Sequence, residues 1–145
     1  MKNCVIVIPI YSDKESLIEK YSLDSLYNNL SKDYDICFIG PDKLKKTIEK
    51  HVEQASSLGF NVSLRLFNNE YFQSPTTYSQ LLKAYTFYSA FKNYKYLLIY
   101  QTDCFMLEDN LKQWIDKDYD YIGAPILVNT SGWKITPISS IWQIL

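Results

Sequence analysis

Apolar residues fall into five short runs separated by stretches of helical period, and that alternation predicts the fold. Val5-Ile6-Val7-Ile8 is a continuous β-branched run, the pattern of a strand covered on both faces in a parallel sheet. Pro9 lacks an N–H and predicts the strand's end. Ser12 to Glu15 fits a capping box, so a helix is expected from there, with Leu17, Ile18 and Tyr21 on one face and then Leu26 and Leu30 after a shift of phase. Ile36-Cys37-Phe38-Ile39 reads as a second buried strand closed by Gly40-Pro41. Asp42 is placed to cap the next helix, whose stripe is Leu44, Ile48, Val52 and Ala55 and which Gly59 terminates. Val62, Leu64 and Leu66 alternate with Ser63, Arg65 and Phe67, as in a half-exposed strand near a sheet edge.

Tyr78, Leu81, Leu82, Tyr85, Tyr88 and Phe91 recur at three and four, which predicts one long amphipathic helix whose tyrosine stripe is core before it is a binding site. Tyr96 to Tyr100 is the fourth strand and runs into Gln101-Thr102-Asp103. A short helix with Leu111, Trp114 and Ile115 follows, and Tyr119 to Pro125 reads as a fifth strand and its exit. Strands and helices alternating at this spacing specify an α/β layer fold with a mostly parallel sheet. The 145 residues form a single domain, 1–145, with a full-sized core.

Composition removes many functions. The net charge of -1 offers no basic surplus for a phosphate backbone, so nucleic acid is not an expected partner. Four scattered glycines cannot write a dinucleotide fingerprint or a P-loop. One histidine, His51, rules out multi-histidine metal sites, and its place beside a helical stripe favours a helix-flank role over catalysis. Cys4, Cys37 and Cys104 are widely spaced among apolar residues, as buried thiols of a reducing compartment are. The Val5–Ile10 run is too short to span a bilayer and lacks a cleavage site. A cytoplasmic protein without a transmembrane segment is expected.

Ligands of open parallel sheets gather at the carboxyl ends of the strands. Three polar clusters are expected there: Pro9 to Glu15, Gly40-Pro41-Asp42 and Gln101-Thr102-Asp103. Asp103 directly follows a strongly apolar strand, and it is either a paired structural carboxylate or a ligand for a hard cation.

Tyr100-Gln101-Thr102-Asp103-Cys104-Phe105, then Trp114 and Tyr119 to Pro125, resemble a family of bacterial and eukaryotic glycosyltransferase-like proteins first catalogued as a domain of unknown function. Ile8-Pro9-Ile10-Tyr11, the stretch Tyr34 to Pro41 and the block Phe72 to Tyr88 match it in the same order. The resemblance implies a Rossmann-like GT-A nucleotide-diphospho-sugar transferase fold, in which an Asp-x-Asp motif after the fourth strand holds a divalent metal on the donor diphosphate. Asp103 takes the second Asp position and Gln101 the first, so a Mn²⁺ or Mg²⁺ cofactor is implied with one certain carboxylate ligand instead of two. By the same resemblance Pro9, Ile10 and Tyr11 bracket the nucleotide base, with a plain strand end as the alternative. Ser74 and Tyr78 lie near the donor, with Ser79 where family members usually carry Asn. Asp120, Tyr121 and Gly123 border the acceptor side, and alternation puts Tyr119 and Tyr121 on one sheet face with one of them in the core.

In the family, the segment like Gly132 to Gln143 leads into an Asn-Gly-Gly stretch and an acceptor-side region. Against that pattern, the chain to Leu145 is expected to be the donor-binding part of a truncated transferase. Ile141, Trp142, Ile144 and Leu145 then form a hydrophobic end that calls for a partner or a missing covering segment. The implied function is transfer of a sugar from a nucleotide-diphosphate donor to an unknown acceptor. The competing readings are a non-catalytic or decayed nucleotide-sugar-binding fragment and, more weakly, a nucleotidyltransferase.

Overall fold

The structure is a computed structural model and describes residues 2–123. Its sheet has four parallel strands, β1 (Lys2–Pro9), β2 (Asp35–Pro41), β3 (Val62–Phe67) and β4 (Tyr94–Ile99), in the order β3-β2-β1-β4. The helices are α1 (Leu17–Asn29), α2 (Lys45–Ser57), α3 (Pro75–Leu81), α4 (Tyr85–Ser89) and α5 (Leu111–Ile115). Successive residues of β1 serve opposite layers, as strand geometry requires. Ile6, Ile8 and Ile10 meet Leu23, Leu26 and Tyr27 of α1 and Ile48 of α2. Val5 and Val7 meet Tyr78 and Leu81 of α3, with Phe87 and Phe91. Val5 to Ile8 are fully buried, and at roughly 1.5–3 kcal/mol per such side chain β1 binds the two layers together far more than the half-exposed β3 does. The architecture is therefore the expected α/β class, with an edge strand where alternation placed one.

Local chemistry shifts several boundaries. The chain carries two capping boxes in tandem, and the helix starts at the second: the Ser16 hydroxyl accepts from Glu19 N–H at 3.2 Å, and Glu19 Oε2 accepts from Ser16 N–H at 2.7 Å. Ser12 instead accepts from Lys14 N–H in a tight turn. This start aligns Leu23, Leu26, Tyr27 and Leu30 at helical spacing with the core. The face expected inward is thus turned out, and Leu17, Ile18 and Tyr21 are exposed. Asp42 caps nothing; it opens a single 3-10 turn, Asp42–Leu44, before α2 begins. Gly59 ends α2 as expected, at φ 87°. Its N–H bonds Ser56 O and the Phe60 N–H bonds Ala55 O, the paired closure that a left-handed residue permits.

The long tyrosine-striped helix is in fact two short ones, α3 and α4, broken by Ala84 in an extended conformation. An unbroken helix would carry Tyr85 inward with Tyr78, Leu81 and Leu82. The break turns Tyr85 to solvent and lets Phe87 fill the core. The Tyr88 hydroxyl compensates by donating to Leu82 O at 2.6 Å.

The expected fifth strand is not formed by residues 119–123, and Ala124 and Pro125 lie outside the described residues. Asp118 sits at φ 55°, and its carboxylate accepts from the Lys95 ammonium and the Tyr96 hydroxyl. That anchor ties the segment to β4 by side chains in place of a backbone ladder. Tyr119 and Tyr121 are both exposed, so neither is the core residue that alternation implied. The hydrophobic end from Ile141 to Leu145 also lies outside the described residues. No helix among the described residues is long and apolar enough to cross a membrane.

Candidate functional site

The chain lays β1, β2 and β3 outward in one direction and then returns to place β4 on the other side of β1. That reversal makes the β1/β4 junction the topological switch point, where the loops leaving two neighbouring strands part and leave a crevice. A crevice of about 380 Å³ opens there, lined by Tyr11, Ser16, Ile18 and Glu19 from one side and Gln101, Thr102 and Asp103 from the other.

Each wall follows from local structure. Tyr100 N–H still bonds Val7 O at 2.9 Å, and the chain then turns sharply, with Cys104 N–H bonding Gln101 O at 3.2 Å. Thr102 is buried under this turn and Asp103 stands exposed at its tip. The Asp103 carboxylate makes no hydrogen bond or ion pair with any described residue. On the facing wall, Tyr11 packs edge-on to Tyr78 at 5.2 Å between ring centroids and tilted against Phe72 at 6.2 Å. Burial drives the Tyr11 phenol well above its ordinary pKa, with Tyr78 and then the Asp103 carboxylate adding to the rise. The Asp103 carboxylate therefore acts on the Tyr11 phenol across the crevice. Tyr78 is raised to about 12, chiefly by burial.

The structure thus brings together Tyr11, Gln101 and Asp103. Pro9 and Ile10 are buried at the strand end, Pro9 opposite Ile39 in the ladder, and they support the loop without lining the crevice. Tyr78 is buried behind Tyr11. Ser74 is the N-cap of α3, its hydroxyl accepting from Thr77 N–H at 3.2 Å, and does not line the crevice. Asp120, Tyr121 and Gly123 are exposed outside it; Tyr121 lies near Tyr88, whose pKa it helps burial to raise.

Thr102 belongs to the expected Gln101-Thr102-Asp103 cluster, whereas sequence reasoning missed Ser16, Ile18 and Glu19. The signal for these three was the second capping box, which brings the start of α1 to the crevice. Next to the crevice, a void of about 10 Å³, room for one water, is lined by Ser12, Lys14, Glu15, Glu19, His51 and Thr102. His51 stacks on Phe38 at 5.5 Å, and burial lowers its pKa while Glu15 and Glu19 oppose the fall.

A second cavity of about 380 Å³ opens at the opposite end of the sheet among Asn3, Asp33, Asp35, Lys112 and Asp116. Its charges are already engaged. Lys112 pairs with Asp116 at 2.9 Å, Asp33 accepts from Ser31 Oγ, and Asp35 accepts from the Tyr94 hydroxyl at 2.5 Å and Asn61 Nδ2 at 2.8 Å. The crevice with the unengaged carboxylate is the better candidate.

Residues 61–140, more than half of the chain, match the model of a family described as protein of unknown function (DUF5672). The chain belongs to that family. The DUF5672 match takes in β3, both helices of the second layer, β4 and the turn that carries Asp103. No curated protein matches. Among solved structures, S. aureus TarS residues 1–349 in complex with UDP-GlcNAc is similar at 14% identity and a TM-score of 0.48, over 79% of this chain and 31% of that one. The same TarS fragment in complex with UDP is similar at 18% identity and a TM-score of 0.45, over 79% and 32%. This DUF5672 chain spans about a third of the length of the structures it matches.

Proposed function

We propose that the crevice binds a nucleotide-diphosphate sugar together with a divalent cation, in a GT-A-type glycosyltransferase domain. The observation that carries this reading is the unengaged Asp103 carboxylate at the switch point, facing Tyr11. The crevice walls present two carboxylates, Glu19 and Asp103, and neither Lys nor Arg, so a diphosphate entering alone would meet like charge. Glu19 is committed to its capping box, which leaves Asp103 as the available anionic donor. No group of three or more His, Cys, Asp or Glu that could cage a metal exists among the described residues. That donor set fits Mg²⁺ or Mn²⁺ held by one carboxylate, waters and substrate phosphate oxygens, a mode in which metal and nucleotide bind together. The cation would supply charge compensation for the leaving diphosphate.

The chain's own residues divide the remaining work. Tyr11, held upright by Phe72 and Tyr78, stacks on the base. Gln101 offers an amide to the sugar or phosphate, and the N-terminus of α1 at Ser16 presents backbone N–H groups to anionic oxygens. Ser74 stays a cap, and Asp120, Tyr121 and Gly123 serve the acceptor side.

Calorimetric titration with UDP, GDP and their sugars, with and without Mn²⁺, tests this. Saturable binding that requires the metal is expected, and Asp103→Asn should weaken it by about tenfold or more, as loss of a charge-assisted contact does. Unchanged binding by that variant removes Asp103 from the site. Sugar transfer to an added acceptor, against binding without turnover, separates a transferase from a binding module.

A further inference from the structure

The turn that carries Asp103 is strapped to α1 by a ladder of polar contacts. The Tyr100 hydroxyl, on a fully buried side chain, lies 3.0 Å from the carbonyl oxygens of both Ser22 and Cys104 and donates toward them. Ser22 Oγ donates to Cys104 O at 2.5 Å and sits 3.1 Å from the same phenol. One turn along, Ser25 Oγ accepts from Met106 N–H at 3.1 Å, and Asn29 Nδ2 donates to Met106 O at 2.8 Å. Ser22, Ser25 and Asn29 fall at i, i+3 and i+7 and so form one helical stripe. Ser22 is buried, Ser25 half-buried and Asn29 exposed, so the stripe runs from the interior out to the surface, and its partners are backbone groups of residues 104 and 106.

We propose that Tyr100, acting through this stripe, is a positioning residue that fixes the 101–106 turn against α1 and so sets where the Asp103 carboxylate stands. The two crevice walls, the start of α1 and the Gln101–Asp103 turn, are thereby held at a constant spacing by contacts that touch no ligand. Apolar residues could have packed α1 on the sheet, but only hydrogen bonds to the carbonyls of Cys104 and Met106 fix the backbone of an irregular turn in one conformation. The consequence for binding rests on the function proposed above; the mechanical claim does not.

Tyr100→Phe keeps the ring and removes the hydroxyl. Tyr94→Phe makes the same change on the same strand at its other end, where the phenol meets Asp35, and serves as the control for a general loss of stability. Amide hydrogen exchange on the ligand-free proteins should show faster exchange at Cys104 and Met106 in Tyr100→Phe and no such change in Tyr94→Phe. Ser25→Ala, which leaves Tyr100 intact, should free Met106 by itself. In the metal and UDP titration, Tyr100→Phe should weaken binding about fivefold, as expected for one lost hydrogen bond, while Tyr94→Phe binds as the parent does. Unchanged exchange across residues 101–106 in both Tyr100→Phe and Ser25→Ala overturns the proposal, as does equal weakening of UDP binding by the two phenylalanine variants. A parent chain that fails to bind metal and nucleotide overturns the proposed function instead, and the exchange experiment still decides the strap.

Discussion

Gly40→Ala offers a test in which even the sign is informative. Gly40 lies at the carboxyl end of β2 without a positive φ, so an alanine there would ordinarily stabilise the chain by about 0.4–1 kcal/mol through the unfolded state. The structure expects the opposite. A Cβ added at Gly40 would stand 2.6 Å from Ile48 Cδ1 and 2.9 Å from the backbone oxygen of Ile10. The first contact can be relieved by rotation of the Ile48 terminus. The second cannot, because Ile10 is pinned to the sheet by its N–H bond to Ile39 O at 2.8 Å. Overpacking of this kind costs roughly 1–3 kcal/mol, which for a chain of this size lowers Tm by roughly 2–12 °C. Thermal unfolding of the parent, Gly40→Ala, Ile48→Val and the double variant forms a cycle that separates the two contacts. The expected result is partial rescue, with a residual loss attributable to Ile10. A Gly40→Ala protein as stable as the parent, or complete rescue by Ile48→Val, would refute the backbone clash. Because Ile10 leads directly into Tyr11, the residual strain should also register as weaker nucleotide binding.

Two further outcomes follow from local chemistry. Ser16→Ala should cost about 1 kcal/mol, the ordinary worth of an N-cap, whereas Ser12→Ala should leave the urea midpoint unchanged; equal losses would mean that the first capping box also contributes to α1. His51 is held below its ordinary value of 6.5 by burial, so its neutral form is favoured in the fold. Its contribution to stability is complete above about pH 6.5 and falls as the pH drops toward the folded-state value. His51→Gln should flatten the slope of urea midpoint against pH in that window, and an unaltered slope would assign the acid sensitivity to other groups.

The central strands were legible because a short, continuous apolar run bounded by turn residues is too brief for a buried helix. Val5 to Ile8 and Leu97 to Ile99 have apolar neighbours on both faces, and no alternative element fits so short a run. Helix limits were less legible because competing local signals were equally good. Ser12 and Ser16 each begin a valid capping box, and only the need to bring Leu23 and Leu26 onto β1 decides between them. The tyrosine stripe misled for a related reason: period alone cannot register that Ala84 leaves the helix, since the cost is met by a distant group, the Tyr88 hydroxyl. At the crevice, Asp103 could be named from its place after an apolar strand, but Glu19 could not, because its position depends on where α1 begins. The strap of Ser22, Ser25 and Asn29 gave no sequence signal at all, since serines within a helix usually mean solvent.

Asp35 and Asp103 show how one residue type is used in two ways at opposite ends of the same sheet. Asp35 is buried and hydrogen-bonded to Asn61 and Tyr94, so its removal would take a partner from each and cost about 1–3 kcal/mol. Asp103 is exposed and makes no hydrogen bond or ion pair with a described residue, so its charge adds little to the stability of the fold. If the carboxylate serves a ligand alone, Asp103→Asn should change stability by no more than the roughly 0.5 kcal/mol typical of surface positions, while reducing the metal-dependent rise in Tm produced by nucleotide, as a binding loss of about tenfold or more requires. A large loss of intrinsic stability in that variant would place Asp103 among the structural carboxylates, and the crevice would then lack the one carboxylate on its described walls that is not committed to a cap.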